Sequence, residues 1–208
     1  MDVYEEIASA RRELADYLDT LDEKAWQTQS LCSQWTVRDV AGHLSMPFTT
    51  PGPKAMAAVV ANGFNLDKAN TKLSQARAAK LTPKELAASL RDNAEHRFKP
   101  PFLGPQAPLT DLVVHASDIR RPLGQTVPVP KERATAVLDF LARAPKGYVN
   151  KKRIAGLRFE ATDVDWSHGD GQLVRGPAEA LIMAMSGRAV ALDDLEGDGV
   201  ATLRSRIA

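Results

Sequence analysis

Trp35-Thr36-Val37-Arg38-Asp39-Val40-Ala41-Gly42-His43-Leu44 is the stretch from which the architecture is read. Thr36 can accept a backbone N–H at the start of a helix. Asp39, three residues on, can reach back to it in a capping box with aspartate in place of glutamate. The helix so begun ends before Pro47, with a histidine, His43, near its end. The run TTPGP from Thr49 to Pro53 then reads as loop by composition.

Helical signals continue on both sides. Upstream, Val3, Ile7, Ala10, Leu14, Leu18 and Leu21 recur at gaps of three and four, tracing one helix face. Downstream, an alanine-rich segment from Lys54 predicts helix, interrupted at Asn62-Gly63. Thr82-Pro83-Lys84-Glu85 supplies a cap, a proline at the first helical position and a glutamate at the third. That helix is expected to run towards Phe98 and stop at Pro100-Pro101. Another covers about Pro108 to Arg121, closed by Pro122 and Gly124, and Pro130 opens a further one to about Arg143.

After Gly147 the texture changes. Leu157, Phe159 and Ala161 alternate with polar neighbours, and Val164 and Trp166 continue that period after a slip of one. Gly169-Asp170-Gly171 turns the chain into a short strand, Gln172 to Val174. Gly176-Pro177 opens a helix through Met185, and a last helix covers about Val200 to Ile207. The expected fold is mainly α: a helical bundle over residues 1–146 and a small α+β domain over 147–208. No internal repeat is evident.

The bulk numbers exclude several function classes. The 208 residues are 44% hydrophobic, enough for a sizeable core. Lys+Arg of 27 against Asp+Glu of 26 leaves a formal charge of +1, which argues against a dedicated nucleic-acid surface. One cysteine, Cys32, can form neither an internal disulfide nor a multi-thiolate metal site, and fits a reducing compartment. The first residues lack the apolar core of a signal peptide, and no run of about 18 apolar residues suggests a membrane span. A soluble cytoplasmic protein is the expectation.

Asp111 and His115 stand four apart on a predicted helix, which turns both side chains to one face, as two ligands of one metal require. A bundle can aim His43, from another helix, at the same point. The resulting set leaves coordination positions open, the pattern of catalytic zinc. An acid and a histidine at this spacing also read as a surface ion pair, and spacing alone does not separate the two. Asp39, four residues before His43, is a competing partner, although capping already accounts for it. Asp118 lies on nearly the face of Asp111; it can orient a ligand from behind or pair with Arg120 or Arg121. His96, in a charged run, reads as solvated, His168 as a turn residue, and Cys32 as a small half-buried side chain. No Gly-x-Ser-x-Gly elbow, P-loop or dinucleotide fingerprint occurs.

Six stretches resemble the mycothiol-dependent maleylpyruvate isomerase family of the DinB-like superfamily. Trp35 to Leu44 resembles that family's segment whose histidine is a metal ligand. Asp111-Leu-Val-Val-His115-Ala-Ser-Asp118-Ile-Arg-Arg-Pro-Leu-Gly124 is similar to the segment that supplies the other two ligands. Ala161 to Trp166, Gly176 to Leu181, Ser186-Gly-Arg188 and Leu195 to Gly199 resemble its C-terminal domain, in the family's order. The resemblance implies a DinB-like four-helix bundle with a divalent metal, usually zinc, held by His43, Asp111 and His115. It also implies mycothiol as cosubstrate, in a family typical of actinobacteria, and homodimers are common among such bundles. Arg120, Arg121 and Arg188 become candidate contacts for the thiol or an acidic substrate by motif proximity, with Asp118 in support. One departure stands out: Asp111 occupies a position where the family often has glutamate, so the arm is one methylene shorter.

The implied reaction is thiol-catalysed cis-trans isomerisation, or S-transfer from mycothiol, on a small electrophile. Two other readings remain: a non-catalytic protein that binds a small molecule or a partner, and a metal-dependent hydrolase using bound hydroxide.

Overall fold

The capping signals set the helices of the computed structural model, which describes residues 2–50, 52–100, 103–143 and 150–207. The chain forms two compact units, Met1–Pro108 with Asp118–Gln125, and Leu109–Ser117 with Thr126–Ala208. The boundary expected at 146/147 lies outside the described residues.

In the first unit, α1 (Val3–Asp19) buries Ile7, Ala10, Leu14 and Leu18, the face traced by the periodicity. The short helix α2 (Glu23–Gln27) escaped the sequence reading because one turn has no period to show. Asp22 caps it through Ala25 N at 2.8 Å, and Trp26 is buried. The expected capping box opens α3 (Val37–Leu44). Helix α4 (Gly52–Ala61) begins inside the stretch expected to be loop, since Pro53 in a first turn costs no hydrogen bond. The break at Asn62-Gly63 is real, with Gly63 and Phe64 both at positive φ. Then come α5 (Leu66–Lys80), capped by Asn65, and α6 (Pro83–Asp92), capped by the Thr82/Glu85 box.

Helix α6 stops well before Phe98, and Arg11 gives the physical reason. Its buried guanidinium donates from Nη1 to the carbonyls of Asn93, Ala94 and His96 at 3.0, 2.9 and 2.8 Å. Those carbonyls are held in a turn that a continuing helix would have to consume. Burial pushes the Arg11 pKa down, and the nearby Glu95 charge partly restores it.

Within this unit α1 packs on α6, and α3 packs on both α5 and α6. The α3–α5 crossing is close because Gly42 has no side chain: a Cβ there would stand 2.7 Å from the Ser74 carbonyl oxygen and 3.2 Å from Ala78 N. Since the obstacle is backbone, Gly42→Ala is expected to force the two helices apart. The cost should be ~1–3 kcal/mol, as for other overpacked sites, readable as a lower urea midpoint.

Helix α7 (Gln106–Arg120) contributes residues to both units. It closes in a 3-10 turn, Arg121–Leu123, with Gly124 in the left-handed region at φ 75°, as Pro122 and Gly124 suggested. The second unit adds α8 (Lys131–Arg143) and a short α9 (Lys151–Ile154). Its three-stranded sheet comprises β1 (Leu157–Ala161), β2 (Ser167–His168) and β3 (Gln172–Gly176), in the order β2-β1-β3. Strand β1 pairs antiparallel with β2 and parallel with β3. Helix α10 (Ala178–Met185) is buried at every position and packs on α8 and the sheet, and α11 (Gly199–Ile207) ends the chain's described part.

Val164 and Trp166 are buried but belong to no strand; the second strand is displaced to Ser167–His168. The chain bends there because Asp163 turns aside to accept Ala178 N at 2.8 Å, capping α10, while Trp166 Nε1 donates to Asp139 on α8 at 3.1 Å. From β2 to β3 the chain then crosses beneath the start of β1 in three residues. Cβ atoms on Gly169 or Gly171 would lie 2.3 Å from the carbonyl oxygens of Leu157 and Gly156, and both glycines have positive φ. Only glycine permits that passage. The result is the expected class, a mainly helical chain with a small C-terminal α+β part. Among the described residues no helix is long and apolar enough to cross a membrane.

Candidate metal centre

His43 is the penultimate residue of helix α3, whose N-terminal lock is tight. Asp39 Oδ2 accepts from Thr36 N at 2.9 Å and from Thr36 Oγ1 at 2.8 Å. The carboxylate that might have competed for His43 is thereby committed to the opposite end of the helix. The half-buried imidazole of His43 lies 4.9 Å, centroid to centroid, from the Trp35 indole, with the planes tilted by 33°. Trp35 Nε1 in turn donates to Thr71 Oγ1 on α5 at 3.3 Å. His43 Nδ1 stands 3.4 Å from Ser74 Oγ, also on α5.

On α7, Asp111 and His115 come together as their spacing suggested. Asp111 Oδ1 is 3.4 Å from His115 Nε2, with the His115 side chain 11% exposed and that of Asp111 39% exposed. A charge-assisted hydrogen bond between such groups would be nearer ~2.7–2.9 Å. By contrast, two donors each ~2.1 Å from one tetrahedral zinc stand about 3.4 Å apart. The pair therefore stands at the span of two ligands sharing an ion, a distance that an i,i+4 ion pair also reaches. The donor types, one imidazole nitrogen and one carboxylate oxygen on a single helix face, fit a divalent metal.

Asp118, one turn further along, is wholly buried, and its surroundings were not visible in the sequence. Its Oδ2 accepts from Cys32 Sγ at 3.2 Å, and its backbone carbonyl accepts from Leu31 N at 3.1 Å. Cys32 is half-buried, as its composition suggested, but its thiol addresses a carboxylate 86 residues away in sequence. No spacing rule reaches that far. Ser74 and Thr71 were missed for the same reason: each is an ordinary helical residue until α3 is laid against α5.

The arginines differ in setting. Arg120 lies over the Tyr17 ring at 3.9 Å, and burial lowers its pKa, opposed by Tyr17 and Glu13. Burial raises the Tyr17 pKa in turn. Arg121 sits in the 3-10 turn after α7, half-buried. Arg188, in the second unit, donates from Nη1 to the Ser186 carbonyl at 3.0 Å. His96 is exposed, as expected, with its ring 5.8 Å from that of Phe48, while His168 lies in β2 and stacks on Trp166 at 6.1 Å.

Comparison with family models matches residues 7–99 to the mycothiol maleylpyruvate isomerase N-terminal domain, the stretch that contains His43 and Ser74. Among solved structures, the crystal structure of the mycothiol-dependent maleylpyruvate isomerase is similar over 95% of this chain and 93% of that one. The TM-score is 0.55 at 14% sequence identity, which establishes a shared fold. A histidine-to-alanine mutant of the same isomerase covers the same shares at 16% identity, with a TM-score of 0.48. No curated protein matches the chain.

Proposed function

We propose, for a chain that belongs through residues 7–99 to the mycothiol maleylpyruvate isomerase N-terminal domain family, a divalent-metal-dependent reaction of a low-molecular-weight thiol with a small electrophile. The observation that carries this reading is the 3.4 Å span between Asp111 Oδ1 and His115 Nε2, matched to two donors of one ion. His43 is the proposed third ligand: it lies within the matched residues 7–99, in the segment Trp35 to Leu44 that resembles the family's ligand-bearing one. Zinc is the proposed metal and mycothiol the proposed thiol. When bound, the metal supplies Lewis acidity that makes a coordinated thiol acidic at neutral pH.

The chain's own residues have separable tasks. Two neutral imidazoles and one carboxylate balance only one of the two metal charges, which leaves the site attractive to an anionic sulfur. Asp111 would be a ligand on a short arm of α7. Asp118, buried and hydrogen-bonded to Cys32, is proposed to hold α7 in place from behind the ligand face. Arg120, Arg121 and Arg188 are the proposed cationic contacts for acidic groups of thiol or substrate. Addition of the thiolate to an activated double bond, rotation and expulsion gives isomerisation; displacement of a leaving group gives a thiol conjugate. The reaction is placed in the cytoplasm, where the thiol pool and Cys32 stay reduced.

A turnover assay with mycothiol and a panel of electrophiles that includes maleylpyruvate tests the proposal. Zinc-loaded protein should consume or isomerise at least one of them, lose that activity on chelation, and regain it on adding zinc. Turnover that needs no thiol would instead favour hydrolysis. Protein that binds no divalent ion, with the metal content of His43→Ala no different, would favour a non-catalytic binder.

A further inference from the structure

We propose that Ser74 is a positioning residue for His43, holding the imidazole in the tautomer whose Nε2 carries the lone pair. The proposal rests on His43 being a metal ligand, but its structural part stands within one compact unit and needs no ion. The Ser74 hydroxyl has one hydrogen, and it is committed: Oγ donates to the Asn70 carbonyl at 2.7 Å, one turn back on α5. Towards His43 the same oxygen can therefore only accept. The long 3.4 Å contact with Nδ1 then runs from Nδ1–H to Oγ, which leaves the lone pair on Nε2.

The fold enforces this contact. Gly42 lets the α3 backbone descend onto the Ser74 carbonyl, so Ser74 is wholly buried beside the histidine that follows Gly42 in sequence. Trp35 limits rotation of the ring, and Thr71, three residues before Ser74, anchors the indole. Helix α5 thus fixes the ring from two directions through Thr71 and Ser74. Metal-bound histidines ordinarily donate their second N–H to a partner, and losing that partner costs ~10–100-fold in metal affinity. Here the acceptor is a serine hydroxyl that is itself fixed by helical back-bonding.

The test uses full-length protein with 15N-labelled histidine, freed of metal, and a long-range 1H–15N correlation spectrum. His43 is identified by the signal lost in His43→Ala. Wild type should show protonated Nδ1 and unprotonated Nε2. Ser74→Ala should lose that preference and bind zinc ~10–100-fold more weakly in a chelator competition. Unchanged His96 signals in the variant would show that the unit remains folded, so a lost preference could not be ascribed to unfolding. A wild-type ring protonated on Nε2, or a Ser74→Ala protein with unchanged tautomer and affinity, overturns the proposal. Wild type with the expected tautomer but no zinc affinity overturns the metal reading alone.

Discussion

Under the proposed ligand set, alanine at His43 or at Asp111 is expected to abolish divalent-ion binding, with zinc affinity falling by more than the ~10–100-fold attached to an outer partner. Each substitution removes one of the three proposed protein donors. The remaining two cannot close a stable site against water and chelators. Both side chains are partly exposed, so neither truncation opens a large core cavity, and the fold should persist. Metal content after gel filtration and zinc competition read the effect directly, with circular dichroism as the control for folding. Asp111→Glu keeps a carboxylate on an arm one methylene longer and should retain divalent-ion binding. Full zinc occupancy in both alanine variants would show that the ion sits elsewhere.

Phe159→Ala carries the largest expected cost to stability. Phe159 is fully buried in the middle strand of the sheet, with its backbone opposite His168 on one side and Val174 on the other. Helix α10 covers the sheet with side chains that are all buried themselves. Truncation of a phenylalanine in such a place costs ~3–5 kcal/mol. At ~2–4 °C per kcal/mol for a chain of this size, the melting temperature should drop by about 6–20 °C. A drop of only a degree or two would contradict the packing described.

The helices were legible where chemistry marks their starts. Thr36/Asp39 and Thr82/Glu85 are local signals, and the structure shows both boxes closed. The end of α6 was not legible, because Arg11 determines it from more than 80 residues away in sequence. The slip at Val164 had a similar cause: burial was read correctly, while the strand was displaced by the need of Asp163 to cap α10. The candidate site divides along the same line. Asp111 and His115 share a helix, so their spacing was a sufficient guide to their meeting. The Ser74 contact with His43 and the Cys32 contact with Asp118 join distant segments, and neither residue type announces a role by itself.

The three-residue crossing beneath β1 leaves the C-terminal sheet without an adjustable joint. Loops elsewhere in the chain can absorb an inserted or deleted residue by bulging into water, whereas the Gly169–Gly171 segment is wedged against the backbone of Gly156 and Leu157. A lineage carrying this fold is therefore free to lengthen most of its connections but not this one. Length variation there should be purged even where every flanking side chain is exchangeable.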